Sequence, residues 1–256
     1  LNKKNPDLCT KITMSITDEQ VSAWNEEFKN AGPQEILRHF LSLFKGRIAF
    51  ASSLGAEDQV LTEMIAAIDP AARIFTLDTG RLFPETYDLI AATDSRYGIR
   101  MEIFFPDRGA VEAMVREKGI NLFYESIENR KSCCHIRKVE PLQRALEECD
   151  AWITGLRKAQ SVTRSGLKVA DWDVIPGLIN INKKLIKINP LANWTEEMVW
   201  EYIHSRHIPY HPLHDQQYPS IGCQPCTRAV KPGDDIRSGR WWWENPENRE
   251  CGLHRD

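Results

Sequence analysis

The sequence predicts an α/β protein, a parallel sheet flanked by helices, and three observations carry that prediction. Short runs rich in Ile, Val and Phe alternate with stretches of helical periodicity, Gly- and Ser-bearing turns follow several of those runs, and 256 residues at 42% hydrophobic content suffice for a large buried core.

The elements follow in chain order. TDEQVSAWNEEFKN and ILRHFLSLF read as an amphipathic helical pair packed on one flank. RIAFASS then pairs with EDQVLTEMIAAI, RIFTLD with PETYDLIAATDSRY, and MEIFF with GAVEAMVREKG; the helix-like IRKVEPLQRALEEC leads into AWITG. VIPGLININKKLIKINP reads as a hairpin turning near Asn182 and Lys183, and WTEEMVWEYIHSR as a further helix. From Gln216 onward Gly, Pro, charge and Trp dominate, ending in GRWWWENPENRECGLHRD, the composition of a tail rather than a core element.

The 33 basic and 36 acidic residues nearly cancel, which argues against a nucleic-acid coat or a membrane surface, so any bound anion must be held locally. No apolar run approaches the roughly 20 residues needed to span a bilayer. The polar opening LNKKNPDLCT lacks the pattern of a signal peptide, and the expectation is a cytoplasmic protein. In that reducing compartment the seven cysteines, Cys9, Cys133, Cys134, Cys149, Cys223, Cys226 and Cys251, read as metal ligands or catalytic thiols rather than a disulfide framework.

Three turns are candidate anion sites. In AFASSLGAEDQVL a strand runs through Ser52, Ser53 and Gly55 into a helix opened by acidic residues, where free N–H groups and the helix end would cradle a phosphate. It has neither the Lys of a P-loop nor a Rossmann GxGxxG, and a serine-capped tight turn is the competing reading. LDTGRLFPETY has the same form and would face the same crevice. In ITGLRKAQSVTR, Arg157, Lys158 and Arg164 follow Gly155; guanidinium forks beside such turns suggest a nucleotide or sulfonucleotide, against a solvated basic loop.

The cysteines are more selective. Cys133-Cys134 and Cys223-Gln-Pro-Cys226 supply four thiols in two pairs, a set suited to one metal centre. Neighbouring Cα atoms lie about 3.8 Å apart, below the roughly 4.4 Å minimum for a disulfide, so a vicinal bond would be strained. Consecutive ligands give one tetrahedral zinc an awkward bite, whereas a cubane cluster offers separate irons. The competing reading is two small buried side chains at a helix start, but Lys131, His135, Arg137 and Lys138 would instead stabilise thiolates. Cys251, near Arg249, His254 and Arg255, is either a stabilised thiolate or a surface cysteine of no function; Cys9 and Cys149 suggest no role.

SLGAED, LDTGRLFPETY, CCHIRKVEPL, GLRKAQSVTR, SIGCQPCTR, GRWWWE and ECGLH together resemble the assimilatory adenosine 5′-phosphosulfate (APS) reductases of the 3′-phosphoadenosine 5′-phosphosulfate (PAPS) reductase family. The likeness runs from about the first strand to the last residue. It implies an adenine-nucleotide alpha-hydrolase-like fold of the PP-loop type, with a sulfonucleotide-binding domain over 1–235 and a mobile C-terminal segment over 236–256. It further implies a 4Fe-4S cluster on Cys133, Cys134, Cys223 and Cys226 that shapes local electrostatics without passing electrons, with Lys138 between cluster and sulfate.

The implied activity is thioredoxin-dependent reduction of APS to sulfite and AMP in sulfate assimilation. The Cys251 thiolate would attack the sulfur, forming an S-sulfocysteine, while Arg164, Arg237 and Arg240 meet the leaving phosphate and His254 helps the thiolate or sulfonate. Ser52, Ser53, Gly55, Asp58, Leu77, Thr79 and Gly155 would bind adenosine and phosphate, and Arg157 joins them as a substrate-side guanidinium. Two departures from relatives stand out: Ser-Leu-Gly where the related pyrophosphatase loop has Ser-Gly-Gly, and Gln217 where relatives often have Gly. His211 and His214 are expected in a packing loop under the cluster rather than as a metal pair, and some of Trp241 to Trp243 are expected to anchor the tail. A homo-oligomer is compatible with these residues. The rival readings are a dual or PAPS-preferring reductase, an ATP-splitting ligase or sulfurtransferase, and a zinc-stabilised nucleic-acid module, the last disfavoured by the balanced charge.

Overall fold

The computed structural model of the chain describes residues 16–160, 164–174 and 184–245. Two helices come first. In α1 (Asp18–Glu27) the Thr17 hydroxyl accepts from the Gln20 N–H, and α2 (Pro33–Leu43) starts on a proline whose missing N–H would have no helical partner anyway. Their buried stripe of Val21, Trp24, Ile36, Leu37 and Phe40 joins the largest apolar cluster.

Three strand–helix units follow: β1 (Ile48–Ala51) with α3 (Ala56–Ile68), β2 (Arg73–Leu77) with α4 (Pro84–Tyr97), and β3 (Glu102–Phe104) with α5 (Arg108–Lys118). Next come α6 (Ile127–Cys134), a π-helical segment (His135–Val139), α7 (Glu140–Leu146), β4 (Ala151–Ile153), β5 (Ala170–Asp173), β6 (Leu185–Ile188) and α8 (Glu196–Arg206). The strands form one sheet in the order β3-β2-β1-β4-β6-β5, parallel at every pairing except β5 with β6.

Side chains alternate across this sheet as its pleat requires. Ile48, Phe50, Ile74, Ala151 and Ile153 face the cluster shared with α1, α2, α3 and α8, while Ala49, Phe75 and Trp152 face the one built on α7. Burial on both faces explains why these strands read as apolar runs. The chain leaves β1 toward β2 and β3, then returns to β4 on the other side of β1. Strand order therefore reverses between β1 and β4, and the crevice outside their carboxyl ends is the natural ligand site of such a sheet.

Two expectations change. The partner of Leu185–Ile188 is Ala170–Asp173, with Asp173 opposite Leu185, so the pairing begins upstream of the run expected to supply it; Asn182 and Lys183 lie outside the described residues. The stretch after Gln216 is also more than a tail as far as Asn245. It contributes Cys226 and Trp241 to a third apolar cluster with Met114, Leu122, Phe123 and Cys134, and Thr227 bridges to Arg240. Among the described residues no helix is long and apolar enough to cross a membrane.

Candidate active site

Outside the carboxyl ends of β1, β2 and β4 lies a cavity of about 710 Å³. It is lined by Ser52, Ser53, Gly55, Asp58, Leu77, Thr79, Lys138, Gly155, Arg157, Arg164, Arg237 and Arg240, so the turns singled out by sequence do open on one crevice. Cys251 and His254 lie outside the described residues.

The first turn differs from a loop of free donors. The Ser52 N–H donates to the Phe75 carbonyl at 2.8 Å, the Ser53 N–H to Asp58 Oδ2 at 2.6 Å, and the Leu54 N–H to Ser52 Oγ at 3.1 Å. Their engagement narrows the cradle to the start of α3, from Gly55 onward, where a helix leaves its first N–H groups without intrahelical partners. Asp58 thus organises the loop, since Ser53 Oγ donates to the same Oδ2 at 2.7 Å. Burial pushes its carboxyl up to about 7, against the downward pull of both Ser53 hydrogen bonds. Gly155 is held by this contact: a Cβ there would collide with Asp58 Oδ1.

Arg157 lines the crevice with its Nε and Nη2 engaged by Glu57 and its buried Nη1 without a protein partner among the described residues. Its guanidinium pairs with Glu57 at 2.7 Å, and Gln160 donates to the same Glu57 oxygen at 2.9 Å. Arg164 in turn donates to Gln160 Oε1 at 2.6 Å, linking the third turn to α3 through one polar chain. In the second turn Asp78, which sequence reasoning missed, accepts from the Gly80 N–H at 2.7 Å and from the Tyr87 hydroxyl at 3.1 Å. Its signal was the Asp-Thr-Gly turn itself, an Asx pattern in which the side chain folds back on the backbone two residues on.

A second, smaller cavity adjoins the first. Cys133, Cys134, Cys223 and Cys226 all line it, with Arg81, Arg130, Arg137 and Lys138. The paired thiols come from distant parts of the sequence, and local geometry brings each pair in. Cys133 and Cys134 close α6, rather than starting a helix, and the turn after them widens: the Glu140 N–H donates to the His135 carbonyl five residues back. Pro141 supplies the reason, since it has no N–H for the Arg137 carbonyl and its ring crowds that group. Cys223 caps and Cys226 ends a short 3₁₀ turn, Gln224–Cys226, whose Gln224 N–H donates to the Arg81 carbonyl at 2.8 Å.

The cavity favours a thiolate at Cys223, whereas burial raises the Cys133 and Cys226 thiols. Arg137 donates to the Thr79 carbonyl at 2.6 Å, and Thr79 Oγ1 lies 3.3 Å from Cys223 Sγ. Burial alone would push the Cys223 thiol up, but Lys138, the Thr79 hydroxyl, Arg240 and Arg137 together hold it below its ordinary value. Cys226 is pushed up to about 12 by burial and by Cys223, so the thiols by themselves do not carry two adjacent negative charges. Lys138 and Cys223 line both cavities and form the wall between them.

The two histidines sit where the loop after α8 meets α4 and α8. His211 is buried, lies 3.1 Å from Thr86 Oγ1, accepts from the Leu213 N–H, and is lowered to about 4 chiefly by burial, hence neutral. His214 packs edge-on against Trp200 at the crevice wall. Their loop contacts α4 through Thr86 and α8 through Trp200.

A fold and a site of this kind define a nucleotide-binding reductase class, and comparison with known proteins agrees: the phosphoadenosine phosphosulfate reductase domain matches residues 47–229, and the chain belongs to that family. Within it, the chain is 54% identical over 208 residues to the adenosine 5′-phosphosulfate reductase of Allochromatium vinosum, covering 81% of this chain and 78% of that protein. The enzyme of the same name from Burkholderia cepacia is 52% identical over 81% of this chain and 80% of its own. Among solved structures, a PAPS reductase from Candida auris in a phosphate complex superposes with TM-score 0.70 and 30% identity, over 85% of this chain and 99% of that one. The FMN adenylyltransferase of Candida glabrata, 17% identical with TM-score 0.51 over 93% of this chain and 78% of that one, shares the fold alone.

Proposed function

We propose that the chain is an oxidoreductase that reduces adenosine 5′-phosphosulfate to sulfite and AMP in assimilatory sulfate reduction, with thioredoxin as electron donor, in a reducing cytoplasm. The observation that carries this reading is the shared wall: four thiols line a cavity whose Lys138 and Cys223 also line the nucleotide crevice. The names and identities of the bacterial relatives support APS over its 3′-phosphorylated form.

Cys133, Cys134, Cys223 and Cys226 would hold a 4Fe-4S cluster. The donor set fits such a group: four thiols with Arg81, Arg130, Arg137 and Lys138 around them line one cavity. When bound, the cluster supplies an electrostatic environment beside the sulfate rather than an electron path.

The chain's own groups perform the rest. The start of α3 and the crevice walls seat the nucleotide, and Lys138 meets the sulfate from the cysteine side. The Cys251 thiolate attacks the sulfur of APS; a bond forms from Sγ to sulfur, the sulfur–oxygen bond to phosphate breaks, and AMP leaves onto Arg164, Arg237 and Arg240. A thioredoxin thiolate then attacks Cys251 Sγ and expels sulfite. The second thioredoxin thiol resolves the mixed disulfide, so thioredoxin is oxidised by two electrons as sulfur is reduced by two. His254 is assigned to the thiolate or the sulfonate.

Protein purified without oxygen, incubated with APS and no thioredoxin, is expected to gain one sulfonate by intact mass, on Cys251. An adduct persisting in Cys251→Ser, or none in the wild type, overturns the nucleophile assignment, and zinc without acid-labile sulfide overturns the cluster.

A further inference from the structure

Arg130 and Glu244 form a buried ion pair that the reaction above leaves without a role. Their side chains are 1% and 3% exposed, Arg130 Nε donates to Glu244 Oε1 at 3.0 Å, and Nη2 to Oε2 at 2.7 Å, a two-pronged fork. Each partner is tied to a different part of the site. Arg130 belongs to α6, the helix that ends in Cys133 and Cys134, and it reaches the Cys134 sulfur. Glu244 closes the turn begun by Trp241, donating its backbone N–H to the Trp241 carbonyl at 2.8 Å.

Trp241 connects the pair to the crevice. It is 1% exposed, sits at φ +43, packs with Cys134 and Cys226, and donates its backbone N–H to the Cys226 carbonyl at 3.2 Å. Arg130 lies 4.8 Å and Arg240 4.7 Å from the centre of its ring. Arg240 lines the nucleotide crevice, and space for its guanidinium exists because residue 222 is glycine: a Cβ there would clash with it.

We propose that the Arg130–Glu244 fork is a positioning pair: it pins the segment from Arg237 to Glu244 against the cysteine cluster, aims Arg240 at the crevice, and fixes the point from which the chain runs to Cys251. Cys251 lies seven residues beyond Glu244 in the chain, a reach of at most roughly 25 Å, so the pin bounds the volume the thiol searches. The reach to Cys251 rests on the nucleophile reading; the pinning of Arg240 does not.

Trypsin reports on the pin directly, because its cleavage sites after Arg237 and Arg240 lie in the pinned segment. In metal-loaded protein, Glu244→Gln is expected to be cut there at least tenfold faster than wild type and to form the sulfonate adduct at least tenfold more slowly at saturating APS. Its iron and acid-labile sulfide should stay at wild-type levels. Glu244→Asp, which keeps a two-oxygen acceptor, is expected to fall between on both measures. Cleavage within twofold of wild type, or slower adduct formation without faster cleavage, overturns the proposal. If Glu244→Gln loses its folded circular dichroism, Glu244→Asp decides: intermediate cutting supports the pin and wild-type cutting overturns it. If wild-type protein forms no adduct on Cys251, the nucleophile reading falls while the trypsin comparison still decides the pin.

Discussion

Leu54 and Gln217 are non-glycine residues that both hold left-handed backbone, at φ 62 and φ 67. A side chain in that region costs roughly 1–2 kcal/mol. Gln217 is exposed and is held by its backbone, its N–H donating to the His214 carbonyl and its carbonyl accepting from the Val230 N–H, whereas Leu54 is 2% exposed in the main apolar cluster and recovers about 1.5–3 kcal/mol from burial. The balance yields an unusual ordering. Leu54→Ala keeps the strained backbone and loses the burial, costing about 2–5 kcal/mol. Leu54→Gly loses the same burial but relieves the backbone, and is expected to be the more stable variant by about 1 kcal/mol. Urea midpoints of the two proteins check this; an alanine variant more stable than the glycine one removes the left-handed turn as the explanation.

At the level of elements, the consecutive cysteines depend on a helix that is not uniform. The α6, π and α7 segments run continuously, and the π turn falls directly before Pro141. Restoring the N–H with Pro141→Ala lets the helix close its ordinary bonds, which rotates the residues before it relative to those after it. The expected result is protein with unchanged or higher helical content, because alanine favours helix, but with iron and acid-labile sulfide at less than half the wild-type content. Full metal content in that variant would show that the π turn does not orient Cys133 and Cys134. Elements of this kind mark the limit of sequence reading. The strands β1, β2 and β4 were legible because both faces are apolar, and α1 to α5 because their periodicity is local. The pairing of Ala170–Asp173 with Leu185–Ile188 was misplaced because apolar content in the intervening run outweighed any cue to register. The π turn left only Pro141 as a trace.

Across the whole molecule, the site divides by the range of its interactions. The crevice residues on turns were legible, since a turn, its glycine and its flanking charges sit together in sequence. The four cysteines were legible through residue type and spacing. Glu57, Arg130 and Glu244 were not named as structural partners, because Glu57 meets Arg157 and Arg130 meets Glu244 only after folding brings distant segments together. That division also separates two packing units. The sheet with its flanking helices is held by apolar clusters that contain none of the four paired cysteines, while the cluster around Trp241 contains all four within or against it. On the proposed cluster assignment, metal removal acts on the smaller unit: the four thiols would lose their common partner, and buried Cys226, with its thiol raised to about 12, would revert to a neutral side chain. Amide exchange after removing the metal is expected to accelerate at least tenfold across residues 222–245, equivalent to about 1.4 kcal/mol of local stability, and to stay within twofold in β1 and β4. Equal acceleration in both regions would mean that the metal centre stabilises the sheet as one unit with the cysteine cluster; no acceleration in either would mean that the packing around Trp241 holds without it.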